Sequence, residues 1–184
     1  MRKNVISAVI VIVMALTLAW LPRAALRPEE SHELDGKQTK PFHLKSPNNQ
    51  KIDYTRFEAR PTVIGFFASW CPPCRAELTQ WSRLHEKYGK QGLVVLAVAV
   101  DPLVTPDTVK GVGPLAAELK LPYAVALATD QFAKDYNYKG FPTTIIINAD
   151  GKIARTFYGY QDLEKFEVVL QKVVGTNIKN SKSK

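Results

Sequence analysis

The two cysteines of this chain, Cys71 and Cys74, are the only ones among its 184 residues and are separated by two residues. They follow residues 62–67, a short apolar run typical of a buried strand, and precede a predicted helix. With Cys74 in the first helical turn, the two sulfur atoms can close a small disulfide ring at little cost to the backbone. The chain must therefore place a strand-to-helix junction around one cysteine pair.

The start of the helix affects the chemistry of Cys71. The partial positive charge at a helix N-terminus favours a thiolate, the form that attacks a disulfide. Pro72 and Pro73 suit the first turn but remove two N–H donors. We expect the helix end to favour the Cys71 thiolate less than it would behind a dipeptide with free N–H groups.

Other uses of a C-x-x-C pair fit the sequence less well. A zinc site needs four ligands, and the three histidines, His32, His43 and His85, are scattered. Haem attachment needs a histidine after the second cysteine, where Arg75 stands. The peroxiredoxin pattern would place threonine at position 68, which is alanine, and a structural disulfide this short would stabilise little. The sequence favours thiol–disulfide exchange, with no metal and no cofactor.

Apolar runs and helical patterns alternate through the rest of the chain. Predicted strands cover residues 42–44, 51–53, 62–67, 93–100, 123–128, 144–147 and 153–158, and predicted helices cover 72–90, 107–119 (broken at 111–114), 130–136 (capped by Asp130) and 163–174. An uninterrupted apolar strand after a strand and a helix predicts parallel strands in the middle of a sheet. The pattern is that of a three-layer α/β fold with an N-terminal hairpin.

The N-terminus indicates export. Residues 5–21 carry no charge and follow Arg2 and Lys3. At ~1.5 Å per residue they reach about 25 Å, the short end of a membrane span and longer than most signal-peptide cores. Trp20 fits an interfacial anchor better than a cleavage junction, so we expect a retained anchor with the domain outside, the alternative being secretion after cleavage.

The remaining organisation follows from composition and charge. We expect a tether over residues 22–39, one folded domain over 40–175 and a disordered basic tail over 176–184. Of the net charge of +8, +2 lies in residues 1–31 and +3 in the tail from Asn177, which leaves +3 for residues 32–176. That field is too weak to suggest a nucleic-acid partner.

Three motifs together resemble the TlpA/ResA-like branch of the thioredoxin superfamily. They are FASWCPPCRAE at 67–77, GFPTT at 140–144 and INADGKI at 147–153, and the resemblance spans about residues 40–175. It implies a thioredoxin fold, a central mixed sheet flanked by helices, with an insertion at 101–128. It also implies an oxidoreductase on the outer side of the bacterial inner membrane, facing the periplasm. Its partners would be exported proteins, such as apocytochromes c or copper-site proteins, and a membrane reductant donor.

The resemblance also assigns roles to individual residues. Cys71 matches the exposed attacking thiol and Cys74 the resolving thiol. Pro142 matches the cis proline that lies beside the cysteines and leaves the neighbouring backbone free to pair with a substrate strand. Phe141 and Trp70 would contribute to substrate binding next to it.

Two further positions concern proton handling. Glu77 matches an acid near the active site of several members, and at three residues after Cys74 it could oppose thiolate formation or relay a proton. Alternatively, it is a surface acid near the helix N-terminus. Gly65 stands where thioredoxins carry a buried aspartate, so that route for protons is missing.

The direction of the reaction is left open by the residues alone. The resemblance favours reduction, whereas a disulfide-forming oxidase requires that the disulfide be the less stable form. A reduced pair could also carry Cu(I) as a metallochaperone, but Met1 and Met14 both lie outside the domain and argue against a dedicated copper carrier.

Overall fold

The computed structural model describes residues 32–181, with seven strands and five α-helices in that range. In chain order they are β1 (His43–Lys45), β2 (Lys51–Asp53), β3 (Thr62–Phe67), α1 (Pro72–Tyr88), β4 (Val94–Ala99), α2 (Asp101–Val104), α3 (Val109–Glu118), β5 (Ala124–Leu127), α4 (Asp130–Asp135), β6 (Thr143–Ile147), β7 (Ile153–Tyr158) and α5 (Leu163–Ser181).

The strands form one mixed sheet in the order β2-β1-β5-β4-β3-β6-β7. Strands β3, β4 and β5 are parallel, while β1, β2, β6 and β7 pair antiparallel to their neighbours. Every residue of β3 is buried, as expected for an apolar strand at the centre of a sheet covered by helices. The predicted hairpin, parallel unit and mixed sheet with flanking helices are confirmed.

The segment 32–39, predicted to belong to the tether, packs against the domain. Leu34 is buried, the Gly36 N–H donates to the Ile153 carbonyl at 2.8 Å, and the Ile153 N–H donates to the Lys37 carbonyl at 2.9 Å. Strand β7 lies at the edge of the sheet, where backbone groups without a neighbouring strand need partners. Residues 32–39 therefore pack against the domain that was predicted to begin at residue 40.

The predicted break at residues 111–114 does not occur, because α3 runs through Pro114. A proline within a helix removes one backbone hydrogen bond, here the one that residue 114 would donate to the carbonyl of the exposed residue Lys110. Val112 and Leu115 are buried and hold the helix against the core.

Two helix ends also differ from the prediction. The Thr129 hydroxyl accepts the Phe132 N–H at 3.2 Å, so Thr129 and not Asp130 caps α4. Helix α5 continues past Val174 to Ser181, within the stretch predicted to be a disordered tail. No proline follows Val174, and a single glycine costs a helix only about 1 kcal/mol.

The predicted anchor at residues 1–21, most of the predicted tether and residues 182–184 lie outside the described residues. Across 32–181, no helix has both the length and the apolar character needed to cross a membrane.

Candidate active site

Cys71 and Cys74 form a disulfide at the start of α1, with their Cα atoms 5.2 Å apart. Cys71 is the residue that caps the helix: its Sγ accepts the Cys74 N–H at 3.2 Å, and Pro72 and Pro73 fill the first two helical positions. Cys71 is 3% exposed and Cys74 is fully buried. Cys71 is thus the more accessible of the two but far less exposed than expected, because the chain turns back there through the bond from its N–H to the Ala68 carbonyl.

The loop between β3 and α1 is held by Asp101, a residue that the sequence reasoning did not single out. Asp101 is fully buried, and its carboxylate accepts the Ser69 N–H at 3.1 Å and the Ser69 hydroxyl. The parallel register offered a signal: Phe67 pairs with Ala99, so Ser69 and Asp101 lie equally far beyond the ends of neighbouring strands.

The Phe141–Pro142 peptide bond is cis, as predicted. Pro142 directly precedes β6, and the first residue of that strand, Thr143, pairs with Phe66 near the end of β3. Pro142 therefore lies at the same end of the sheet as the loop that leads to Cys71.

Two aromatic side chains lie together at this end of the sheet. The rings of Trp70 and Phe141 meet edge to face with their centroids 5.2 Å apart. Trp70 is 49% exposed. The residue next to Cys71 thus presents an apolar surface to solvent.

Glu77 is fully buried, so its interpretation as a surface acid is wrong. Its carboxylate accepts the Gln161 N–H at 3.1 Å and the Thr144 hydroxyl at 3.3 Å. Burial raises the pKa of Glu77 to about 7, against the smaller lowering effect of these two donors. A carboxyl with that pKa can take up or release a proton near neutral pH, one helical turn after Cys74.

Gly65 has a packing reason for lacking a side chain. A Cβ built there would lie 2.0 Å from Cη2 of Trp81, whose indole is completely buried. The Trp81 ring, which α1 presents to the sheet, occupies the space that a side chain on β3 would need.

Within residues 32–181, no group of three or more histidine, cysteine or acidic side chains lies close enough to hold a metal ion. The chemistry that the described arrangement can perform is exchange at the cysteine pair, with Glu77 as a nearby acid or base.

Comparisons with known proteins agree with this chemistry. The model of the AhpC/TSA family matches residues 36–156. The thiol-disulfide oxidoreductase ResA of Bacillus cereus is 27% identical over 178 residues, covering 94% of this chain and 99% of its own. ResA of Bacillus subtilis is 24% identical over 161 residues and covers 86% of each chain.

Among solved structures, a putative thiol:disulfide interchange protein DsbE from Chlorobium tepidum superposes with a TM-score of 0.67. It is 25% identical and covers 76% of this chain and 97% of its own. The chain therefore belongs to the AhpC/TSA family and is a thiol–disulfide oxidoreductase with a C-x-x-C pair, similar to ResA and DsbE.

Proposed function

We propose that this chain is a reductase of disulfides in exported proteins, in which Cys71 is the attacking thiol and Cys74 the resolving thiol. The observation that carries the proposal is the disulfide at the N-terminus of α1, with Cys71 as the more accessible residue of the pair. A thiolate at a helix N-terminus is favoured by the helix dipole, and the accessible sulfur is the one that a partner can reach.

The reaction has two exchange steps. The Cys71 thiolate attacks one sulfur of the substrate disulfide, forms a mixed disulfide and releases the other substrate sulfur as a thiolate. The Cys74 thiolate then attacks Cys71 Sγ, which releases the second substrate thiolate and leaves the Cys71–Cys74 disulfide. Two electrons pass to the substrate, and a membrane dithiol donor restores the reduced pair.

Glu77 has a supporting role in the proposal. Cys74 must lose its proton before the second step, and a buried carboxylate with a pKa of about 7 is suited to accept it. Pro72 and Pro73 modulate the same site by removing two N–H donors from the helix end.

Substrate binding is assigned to the surface beside the cysteines. Backbone groups next to Pro142 would pair with an extended segment of the substrate, while Trp70 and Phe141 contact its side chains. The edge-to-face pair of the exposed Trp70 and the half-buried Phe141 supports this, because aromatic side chains contribute much of the energy of protein interfaces.

For location, we propose that residues 1–21 anchor the protein in the bacterial inner membrane and that the domain faces the periplasm. The uncharged run at 5–21 supports this placement. The ordered segment from His32 then leaves residues 22–31 as the link between anchor and domain.

The test is the reduction potential of the full-length chain in detergent, equilibrated against thiol–disulfide buffers. A potential near or below about −250 mV is expected for a reductase. A potential near about −120 mV would make the protein an oxidant and would overturn the proposal. Cys71→Ser, which cannot form the disulfide, gives the baseline.

A further inference from the structure

Asp101 is a buried carboxylate whose hydrogen-bond donors are uncharged. The Ser69 N–H donates to Oδ2 at 3.1 Å, the Ser69 hydroxyl donates to Oδ1, and the Thr108 hydroxyl lies 2.7 Å from Oδ1. The Thr108 hydroxyl also lies 2.8 Å from the Thr105 carbonyl, so its single proton serves two acceptors. The carboxylate therefore joins the loop before Cys71 to the chain that leads into α3.

Both partners of Asp101 line an open groove beside the cysteine pair. The groove has a volume of about 370 Å³. Its lining includes Ser69 and Trp70 from the loop before Cys71, and Thr108 and Leu115 from the chain segment that contains α3. The groove thus has two walls, and the buried Asp101 carboxylate is hydrogen-bonded to one residue in each.

Trp70 stands between this groove and the proline loop. Its ring and that of Phe141 meet edge to face, and Trp70 also lines the groove. Its backbone follows directly on Ser69, whose N–H and hydroxyl are both held by Asp101. The direction in which Trp70 leaves the loop is therefore fixed by the Asp101 carboxylate.

We propose that Asp101 is a positioning residue that sets how Trp70 and the groove beside Cys71 meet a protein partner. The proposal rests on the proposed function, in which Trp70 contacts the substrate. It adds the groove as the place for the substrate side chains that flank the reacting cysteine, on the side of Trp70 away from Pro142. Trp70, Pro114 and Leu115 form the apolar part of its lining, which fits an apolar or aromatic side chain, and charged residues line its remainder: Arg75, Asp107, Lys110 and Glu118.

Two substrates of different size distinguish an effect on substrate positioning from an effect on the thiol chemistry of Cys71. A peptide with one disulfide and aromatic flanking residues would use the groove, whereas glutathione needs only access to Cys71. Asp101→Asn keeps one acceptor oxygen but replaces the other with an NH₂ group, which cannot accept from Ser69. We expect it to slow exchange with the peptide by about 10-fold to 100-fold and to leave exchange with glutathione unchanged.

The rates are measured with the full-length chain in detergent, in both directions. Reduced protein is mixed with the peptide disulfide or with glutathione disulfide, and oxidised protein with the reduced peptide or with glutathione. The direction that the wild type drives tests the reductase proposal, and the ratio of peptide to glutathione rates in that direction tests the role of Asp101. If the wild type oxidises the peptide, the reductase proposal is overturned, and the ratio of peptide to glutathione rates still tests the role of Asp101.

Ser69→Ala and Thr108→Val test the same contact from each wall of the groove and keep the carboxylate. Each should slow exchange with the peptide by a smaller factor than Asp101→Asn and leave exchange with glutathione unchanged. If Asp101→Asn does not fold, these two variants test the role of Asp101 in its place. Tyr54→Phe is the control: it removes a hydroxyl bonded to Thr39 near the turn after β6, at the opposite end of that strand from Pro142, and should change neither rate. Equal losses with peptide and glutathione, or no loss with either, would overturn the proposal.

Discussion

Two fully buried carboxylates, Asp101 and Glu77, lie next to the segments that precede and follow the cysteine pair, and their hydrogen-bond donors differ. Asp101 accepts both the N–H and the hydroxyl of Ser69 and lies within 2.7 Å of the Thr108 hydroxyl. Glu77 has two donors, the Gln161 N–H at 3.1 Å and the Thr144 hydroxyl at 3.3 Å. Burial dominates at Glu77 and raises its pKa to about 7.

The comparison shows that burial alone does not decide what a carboxylate does. A carboxylate that receives several close donors ties chain segments together, and losing it leaves those donors without partners. In a buried carboxyl group with fewer and longer hydrogen bonds, the charged form is less stable and the pKa rises, so the group can exchange a proton near neutral pH. The same side-chain chemistry thus holds chain segments together at Asp101 and, in the proposed function, transfers a proton at Glu77.

Asp101→Ala should produce the largest loss of stability. It leaves the half-buried Ser69 N–H and hydroxyl without their acceptor, and at about 1–3 kcal/mol for each donor without a partner the free energy of unfolding should fall by about 4 kcal/mol. Glu77→Ala, measured at pH 8, should cost less, since it also removes an unfavourably buried charge. Urea unfolding of the oxidised proteins measures both losses, and equal losses would break the distinction between the two carboxylates.

Glu77→Gln should change how stability depends on pH. The folded pKa of about 7 lies above the ordinary value of 4.5, so the contribution of Glu77 to stability is fully present below pH 4.5 and is lost as pH rises to about 7. The wild type should lose about 3 kcal/mol over that interval because of this group. Glu77→Gln should lack this loss.

The measurement is urea unfolding at a series of pH values between 4 and 8, with the disulfide intact. Glu164→Gln, which alters an exposed acid on α5, is the matched control and should follow the wild-type profile. The proton-exchanging role of Glu77 would be contradicted if the free energy of unfolding of the wild type did not fall over this pH range. It would also be contradicted if the free energy of the Gln variant fell by the same amount.

These two residues also show what the sequence could predict. Continuous apolar runs and a helical stripe of apolar residues were enough to predict the parallel unit and the cysteine junction, because β3 is buried throughout and the buried face of α1 is apolar apart from Glu77. The burial of Glu77 was not predictable from spacing on α1, since it depends on Thr144 and Gln161, residues far along the chain. Asp101 was missed because its main donor, Ser69, belongs to a different loop.

The other differences have a similar cause. The order of residues 32–39 depends on the edge of β7, which is more than a hundred residues away along the sequence. The continuity of α3 depends on Val112 and Leu115 packing into the core, which outweighs the local effect of Pro114. Local patterns predict elements, while contacts between distant segments decide their ends and the environment of polar groups.

Gly65→Ala tests why the acid near the cysteines is on the helix and not on β3. The added Cβ would lie 2.0 Å from the Trp81 ring, and such overpacking should lower the free energy of unfolding by about 2 kcal/mol. The double variant Gly65→Ala/Trp81→Phe should lose less than the sum of the single variants, because the shorter ring leaves space for the methyl group. Additive losses in urea unfolding would mean that Trp81 is not what excludes a side chain from position 65.

The smallest effect is expected for the ion pair between Arg75 and Glu118, which joins α1 to α3 at the groove. These side chains are 38% and 61% exposed, so water and salt screen their attraction. In a double-mutant cycle with Arg75→Ala and Glu118→Ala, the coupling free energy should be below about 1 kcal/mol at low salt and should vanish at high salt. A coupling as large as the loss in Asp101→Ala would mean that the exposed pair, and not the buried carboxylate, holds the two walls of the groove together. The expected small value would instead leave that task to Asp101, because only a group sheltered from water keeps the full strength of its hydrogen bonds.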